Sequence, residues 1–280
     1  MNKRRKLTDK LMTILPILSV LITILPLISI SVYLVYKGVQ YLNVQFLTEL
    51  PKPVGQPGGG MANSIVGSGI VVGLAGLIGV PIAVLAGIYL AEYGRKTKLA
   101  AVVRFFADVL QGVPSIVIGI VAYAVVVIPM GSFSAVAGAA ALAMMLIPFL
   151  TRTTEEALLT VPQDVKEAGL ALGQPQWRVV LGIVLRSARG PIMTGVMLGI
   201  ARIAGETAPL LFTALNNRFW HNGLNGPIST LTVQIYNYAI SPFTDWNGQA
   251  WSGALVLVLL VTGLNILVRT LARSRYSERS

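Results

Sequence analysis

The sequence predicts an all-α fold: a polytopic membrane bundle of six transmembrane helices forming one domain over residues 1–280. Composition points first to the membrane. Of the 280 residues 54% are hydrophobic and 12% charged, with a mean hydropathy of +0.72, whereas soluble domains carry roughly 25% charged residues. The apolar residues are also gathered into uncharged runs, several of them near the roughly 20 residues a helix needs to cross hydrocarbon. Finally, the basic residues fall between these runs rather than within them, as expected when Lys and Arg set membrane topology.

The first span covers residues 11–36, a charge-free run behind Lys3, Arg4, Arg5 and Lys6. It is longer than a signal-peptide core of 7–15 residues, and no alanine precedes Ala62 to form an A-x-A cleavage site, so it is read as an uncleaved helix. The remaining spans are expected near 64–90, 115–128, 135–150, 191–215 and 251–268. The third is short. It lengthens by starting at Phe105, across a Gly112-Val113-Pro114-Ser115 break that predicts a kink or broken helix. Gly69 with Gly73, and Gly195 with Gly199, have the GxxxG spacing that lets helix backbones approach closely. Residues 49–60 read as a connector, and Glu92 and Asp108 as solvated helix ends.

Six crossings put both termini on one side. Eighteen of the 22 Lys and Arg residues lie in the tails and in the loops on that side, against Lys37, Lys52 and Arg218 opposite, with Arg202 inside a span. Both termini are therefore expected in the cytoplasm, in a multi-pass membrane protein. The formal charge of +11 is thus dealt out at membrane edges, beside lipid headgroups, which argues against nucleic acid. With no cysteine and one histidine, His221, the chain offers little for a metal site or a hydrolytic triad. No catalytic residue, metal ligand or bound cofactor is expected, and the chain is not read as an enzyme.

Residues 152–189 are too polar to span and too helical for a plain connector. Pro162 suits a helix start, Asp164 its positive end and Gly173 its stop; a second start follows at Pro175, leading an amphipathic run through Trp177, Val180, Leu181, Val184 and Leu185. Physics alone fits either a helix lying on headgroups or one that docks a partner. Glu167-Ala168-Gly169, then Gly173, Ile183 and Leu185, resemble the EAA-x3-G-x9-I-x-L-P loop of ABC importer permeases, with Gly169 at an alanine position and Arg186 at the proline. The resemblance implies a coupling helix seated in an ATPase subunit, and it gives that role to these residues. No G-x4-G-K-[ST] segment occurs, so ATP and its magnesium would be held by a separate subunit.

Arg202 and Glu206 stand in an otherwise apolar run. Buried there, each costs about 2.5–3.5 kcal/mol on insertion scales, so such groups face protein or water. Four residues apart in one helix, they would share a face. Two readings fit: a self-satisfied ion pair, or an anion site in which the arginine fork grips two oxygens of a tetrahedral anion. In the second, Glu206 would accept a hydrogen bond from protonated phosphate, which sulfate does not offer at neutral pH.

The run Gly205-Glu206-Thr207-Ala208-Pro209-Leu210-Leu211-Phe212-Thr213-Ala214 resembles the GETAPLLFTA segment of PstA-type permeases of bacterial phosphate ABC importers, and the Gly112 to Ser115 break is similar to theirs. The resemblance implies a type I ABC importer permease, moving inorganic phosphate inward by alternating access. It also implies a PstC-type sister permease, two ATPase subunits and an extracytoplasmic phosphate-binding protein, with Arg202, Glu206 and Thr207 on the path. The alternatives are a permease for another oxyanion, sulfate or molybdate, and a self-sufficient anion channel or proton-coupled transporter. The latter has no need of the 167–185 loop.

Overall fold

A computed structural model describes residues 3–56 and 58–277, and among them there are helices and connections but no strands. The elements are α1 (Lys3–Gly38), α2 (Val44–Thr48), α3 (Ala62–Tyr93), α4 (Lys98–Gly112), α5 (Ser115–Met130), α6 (Ala135–Leu159), α7 (Gln163–Ala171), α8 (Gln176–Ala204), α9 (Ala208–Leu211), α10 (Leu231–Ala239) and α11 (Thr244–Ser277). Five helices among the described residues are long and apolar enough to cross a membrane, and six if the bent pair α4 and α5 makes one span.

The helix α6 is the axis of the bundle. It starts where the Ser134 hydroxyl accepts from the Ala137 amide at 3.0 Å, and it touches α3, α4, α5, α8 and α9. Small side chains allow this crowding: Ala135, Ala139, Leu142, Ala143, Leu146 and Leu150 are buried against Val71, Ala75 and Ala83 of α3. A second apolar cluster, including Leu158, Val179 and Val184, closes one end, called here the basic end because Arg95, Lys96, Lys98 and Arg178 surround it. A third, including Phe46, Met61 and Tyr238, closes the opposite end.

The outermost helix, α1, exposes its apolar side chains along its length. Its hydroxyls bond back to the carbonyls four residues earlier, Ser19 to Leu15 at 3.0 Å and Thr23 to Ser19 at 2.9 Å, so no partner is required in hydrocarbon. It meets α11, where Ser252 Oγ donates to the Gly38 carbonyl at 2.6 Å and Tyr33 packs edge-on to Trp251.

The third expected span is broken as the sequence predicts, and the fourth and fifth differ in extent from the observed helices. In the third, α4 and α5 are bent by 110° at the expected break, and α4 begins at Lys98. Val113 is extended at φ −72°, ψ 131°, the conformation imposed by a following proline. The fifth, expected at 191–215, begins earlier at Gln176 and ends at Ala204. The fourth runs to Leu159, beyond the expected end at residue 150.

The two glycine pairs also part company. An added Cβ would meet Thr153 Cγ2 at 2.5 Å from Gly195 and Leu146 Cδ1 at 2.6 Å from Gly199, so this pair sets the close approach of α8 to α6. Gly69 and Gly73 face open space. Gly195→Val is expected to lower stability by about 1–3 kcal/mol through overpacking, and Gly73→Ala to leave it near the wild type. Thermal unfolding of the two variants in detergent checks this.

Candidate functional site

Two helix breaks meet beside α6. At the first, α8 stops because Gly205 favours termination and Pro209 has no N–H with which to continue the ladder. The chain turns through Gly205 and Glu206, whose amides reach the Arg202 and Ile203 carbonyls at 3.2 Å, and restarts as the single turn α9. The second break is the bend between α4 and α5. The helices that follow the two breaks, α5 and α9, pack together at Gly119, where a Cβ would lie 2.7 Å from Pro209 Cα.

This break overturns the expectation that Arg202 and Glu206 share a helix face. Arg202 belongs to the last turn of α8, whereas Glu206 lies beyond its end, and no ion pair joins them. The Arg202 guanidinium is exposed and sits 5.8 Å from the centre of the Phe149 ring on α6, a distance at which a cation is attracted to the ring face. Because Gly199, one turn earlier, packs on Leu146 and Phe149, Arg202 lies near the middle of the bundle. Glu206 and Thr207 are half-buried. The Glu206 backbone carbonyl accepts from Thr232 Oγ1 at 2.9 Å, and the Thr207 carbonyl from the Leu210 amide at 3.1 Å.

At the basic end, Pro162 precedes α7, Gly173 ends it at φ +74°, and Pro175 precedes α8. The motif residues divide between two faces. Gly169 is buried, and a Cβ there would meet Ile183 Cδ1 at 3.0 Å and Val179 at 3.1 Å; Ile183 and Leu185 are half-buried on α8. Glu167, Ala168 and Gly173 are exposed, beside exposed Leu170, Leu172 and Trp177, with Leu172 at 82%. Helix α8 runs on through Arg186, so the missing proline leaves the exit of the loop helical. At the opposite end, Phe219 and Trp220 are exposed, whereas Trp246 is stacked on Tyr238 at 4.6 Å with Arg218 over its ring.

Residues 79–275 match the family described as "Binding-protein-dependent transport system inner membrane component". The chain belongs to this family. Its relatives include a protein of Haemophilus influenzae named "Phosphate transport system permease protein PstA", 48% identical over 95% of this chain and 94% of that one. Another of the same name, from Pasteurella multocida, is 49% identical over 95% and 94%. A chain of the crystal structure titled "bacterial alginate ABC transporter in complex with alginate pentasaccharide-bound periplasmic protein" covers 97% of this chain and 96% of its own with a TM-score of 0.70, at 13% identity, a likeness of fold. The protein is thus a multi-pass permease subunit of the PstA group, with the type I ABC importer fold.

In this permease the residues that sequence reasoning missed form a charged cluster at the basic end. Glu155 of α6, 2% exposed, accepts from Arg104 Nε of α4 at 2.7 Å and from Arg152 Nη1. Arg104 Nη2 also reaches the Leu90 carbonyl at 2.9 Å, and Arg152 Nε reaches Asp108 at 2.9 Å. Asp108, solvent-exposed as expected, is therefore also an ion-pair partner. So is Glu92, which is not a solvated end but is paired with Lys166 of α7, their side chains 8% and 11% exposed. Only the Arg152 to Glu155 spacing was visible locally; Arg104 is 51 residues from Glu155. Removing one member of a buried pair costs about 3–5 kcal/mol. Glu155→Gln is expected to approach that loss, and Asp108→Asn, at a 57% exposed side chain, to cost at most about 1 kcal/mol, as read by thermal unfolding of the purified permease.

Proposed function

We propose that this permease forms one half of a path that carries inorganic phosphate into the bacterial cytoplasm by alternating access, driven by ATP held on a separate subunit. The observation that carries the reading is Arg202: a permanently charged fork, unpaired with Glu206, at mid-depth beside two helix breaks and open on the single chain. Intramembrane cations in such positions mark ion pathways, and a guanidinium suits two oxygens of a tetrahedral anion. The names of the two PstA relatives specify phosphate as the anion. In this reading the Glu206 carboxylate accepts a hydrogen bond from the hydroxyl of protonated phosphate, and the neighbouring Thr207 offers a hydroxyl.

On this reading the exposed side of Arg202 faces a PstC-type sister permease, and an extracytoplasmic phosphate-binding protein delivers the anion. The excess of basic residues puts both termini and α7 in the cytoplasm. There α7 serves as the coupling helix for one of two ATPase subunits that bind ATP and magnesium. Glu167, Ala168 and Gly173 lie at the contact, flanked by Leu170, Leu172 and Trp177, while Gly169, Ile183 and Leu185 seat α7 on α8.

Transport and co-purification experiments test this. Arg202→Gln should cut ATP-dependent uptake of labelled phosphate by about 30-fold or more, the scale of losing one partner of a desolvated charge pair, with co-purification of the sister permease intact. Competition by sulfate or molybdate equal to that by phosphate would shift the substrate assignment, and sulfate uptake gained on Glu206→Gln would support the role given to Glu206. Leu172→Asp should abolish co-purification of the ATPase and leave thermal unfolding of the permease unchanged.

A further inference from the structure

The π-helical last turn of α3, Tyr89–Tyr93, is a junction of the basic end. Lys166 of α7 pairs with the Glu92 carboxylate, and Gln176 Nε2 at the start of α8 donates to the Glu92 carbonyl at 3.2 Å. Just beyond, Arg95 Nη1 donates to Gln163 Oε1 of α7 at 3.2 Å. A buried ion pair is a weak source of stability, because the desolvation of two charges offsets their attraction and an apolar pair of similar volume is often as stable. Unlike an apolar contact, it holds one alignment. Helix α7 is therefore attached on two sides: Gly169 against Val179 and Ile183 ties it to α8, while the buried Lys166, with the exposed Gln163 to Arg95 bond beside it, ties it to the end of α3.

These attachments lead to different helices around the candidate site. Helix α8 ends in Arg202, whereas α3 packs along α6, which carries Phe149 beneath Arg202. We propose that Glu92 and Lys166 are positioning residues that make α3 follow α7, so that displacement of α7 by nucleotide moves the α3–α6 side of the path together with α8. Neither residue contacts the anion. Without the pair, α3 would follow α7 only through the Arg95 to Gln163 contact and through α8.

This inference rests on the proposed function, and the complete importer in proteoliposomes tests it through phosphate transported per ATP hydrolysed. Glu92→Gln and Lys166→Met are expected to assemble and hydrolyse ATP, with the transport ratio falling about five-fold or more, the lower range of coupling between sites. The exchanged pair E92K/K166E should restore most of the ratio. Should Glu92→Gln fail to co-purify with its sister, Glu92→Asp, which keeps the charge on a shorter arm, gives the same comparison. An unchanged ratio, or hydrolysis and transport falling in parallel, would overturn the proposal. A wild-type complex without ATP-dependent phosphate uptake would instead overturn the functional reading beneath it.

Discussion

A helix interrupted within a membrane bundle exposes backbone groups that hydrocarbon cannot satisfy, and each needs a partner from elsewhere in the protein. The break after Ala204 places the permease under this constraint, and the segment that follows answers it. Thr232 of α10 donates to the Glu206 carbonyl, which brings α10 back over the break. Ser68 Oγ accepts from the Leu231 amide at 2.7 Å, and the Ser64 and Ser229 hydroxyls lie 2.7 Å apart, which fixes α10 and the preceding loop on α3. Asn63 donates to the Asn217 carbonyl, and Asn216 to Gln234. Of these contacts that of Thr232 reaches the break itself, and the others seat α10 and the loop before it.

The basic end applies electrostatics differently. Glu155 of α6 holds Arg104 of α4, which also donates to the Leu90 carbonyl of α3, while Glu92 joins α3 to α7. Each carboxylate is nearly sealed from water, so its cost is recovered only in one geometry. The two clusters meet at the last turn of α3 and hold the bend of α4 and the seat of α7 in a defined relation. Apolar packing of Val179, Val184 and Leu158 would permit more than one.

Features governed by neighbouring residues were legible before any coordinates. The uncharged run 11–36 can only be a helix in hydrocarbon, and Val113 before Pro114 is forced extended, which bends the chain where expected. Pro162, Gly173 and Pro175 mark the limits of α7 and α8 because each acts on its own backbone dihedrals. The motif register was also legible, but its division was not. Gly169 is needed for its lack of a side chain against α8, a reason that spacing does not express.

What the sequence by itself determined, then, was the class of protein, the number of apolar segments and the residues worth watching, all set by composition and short-range sterics. Tertiary structure alone decided their partners. Lys166 and Glu92 are 74 residues apart, and helical periodicity has no term for a contact at that separation. It also parted Arg202 from Glu206. A spacing of four implies a shared face only while the helix continues, and here the helix stops between them, leaving Arg202 against Phe149 of another helix.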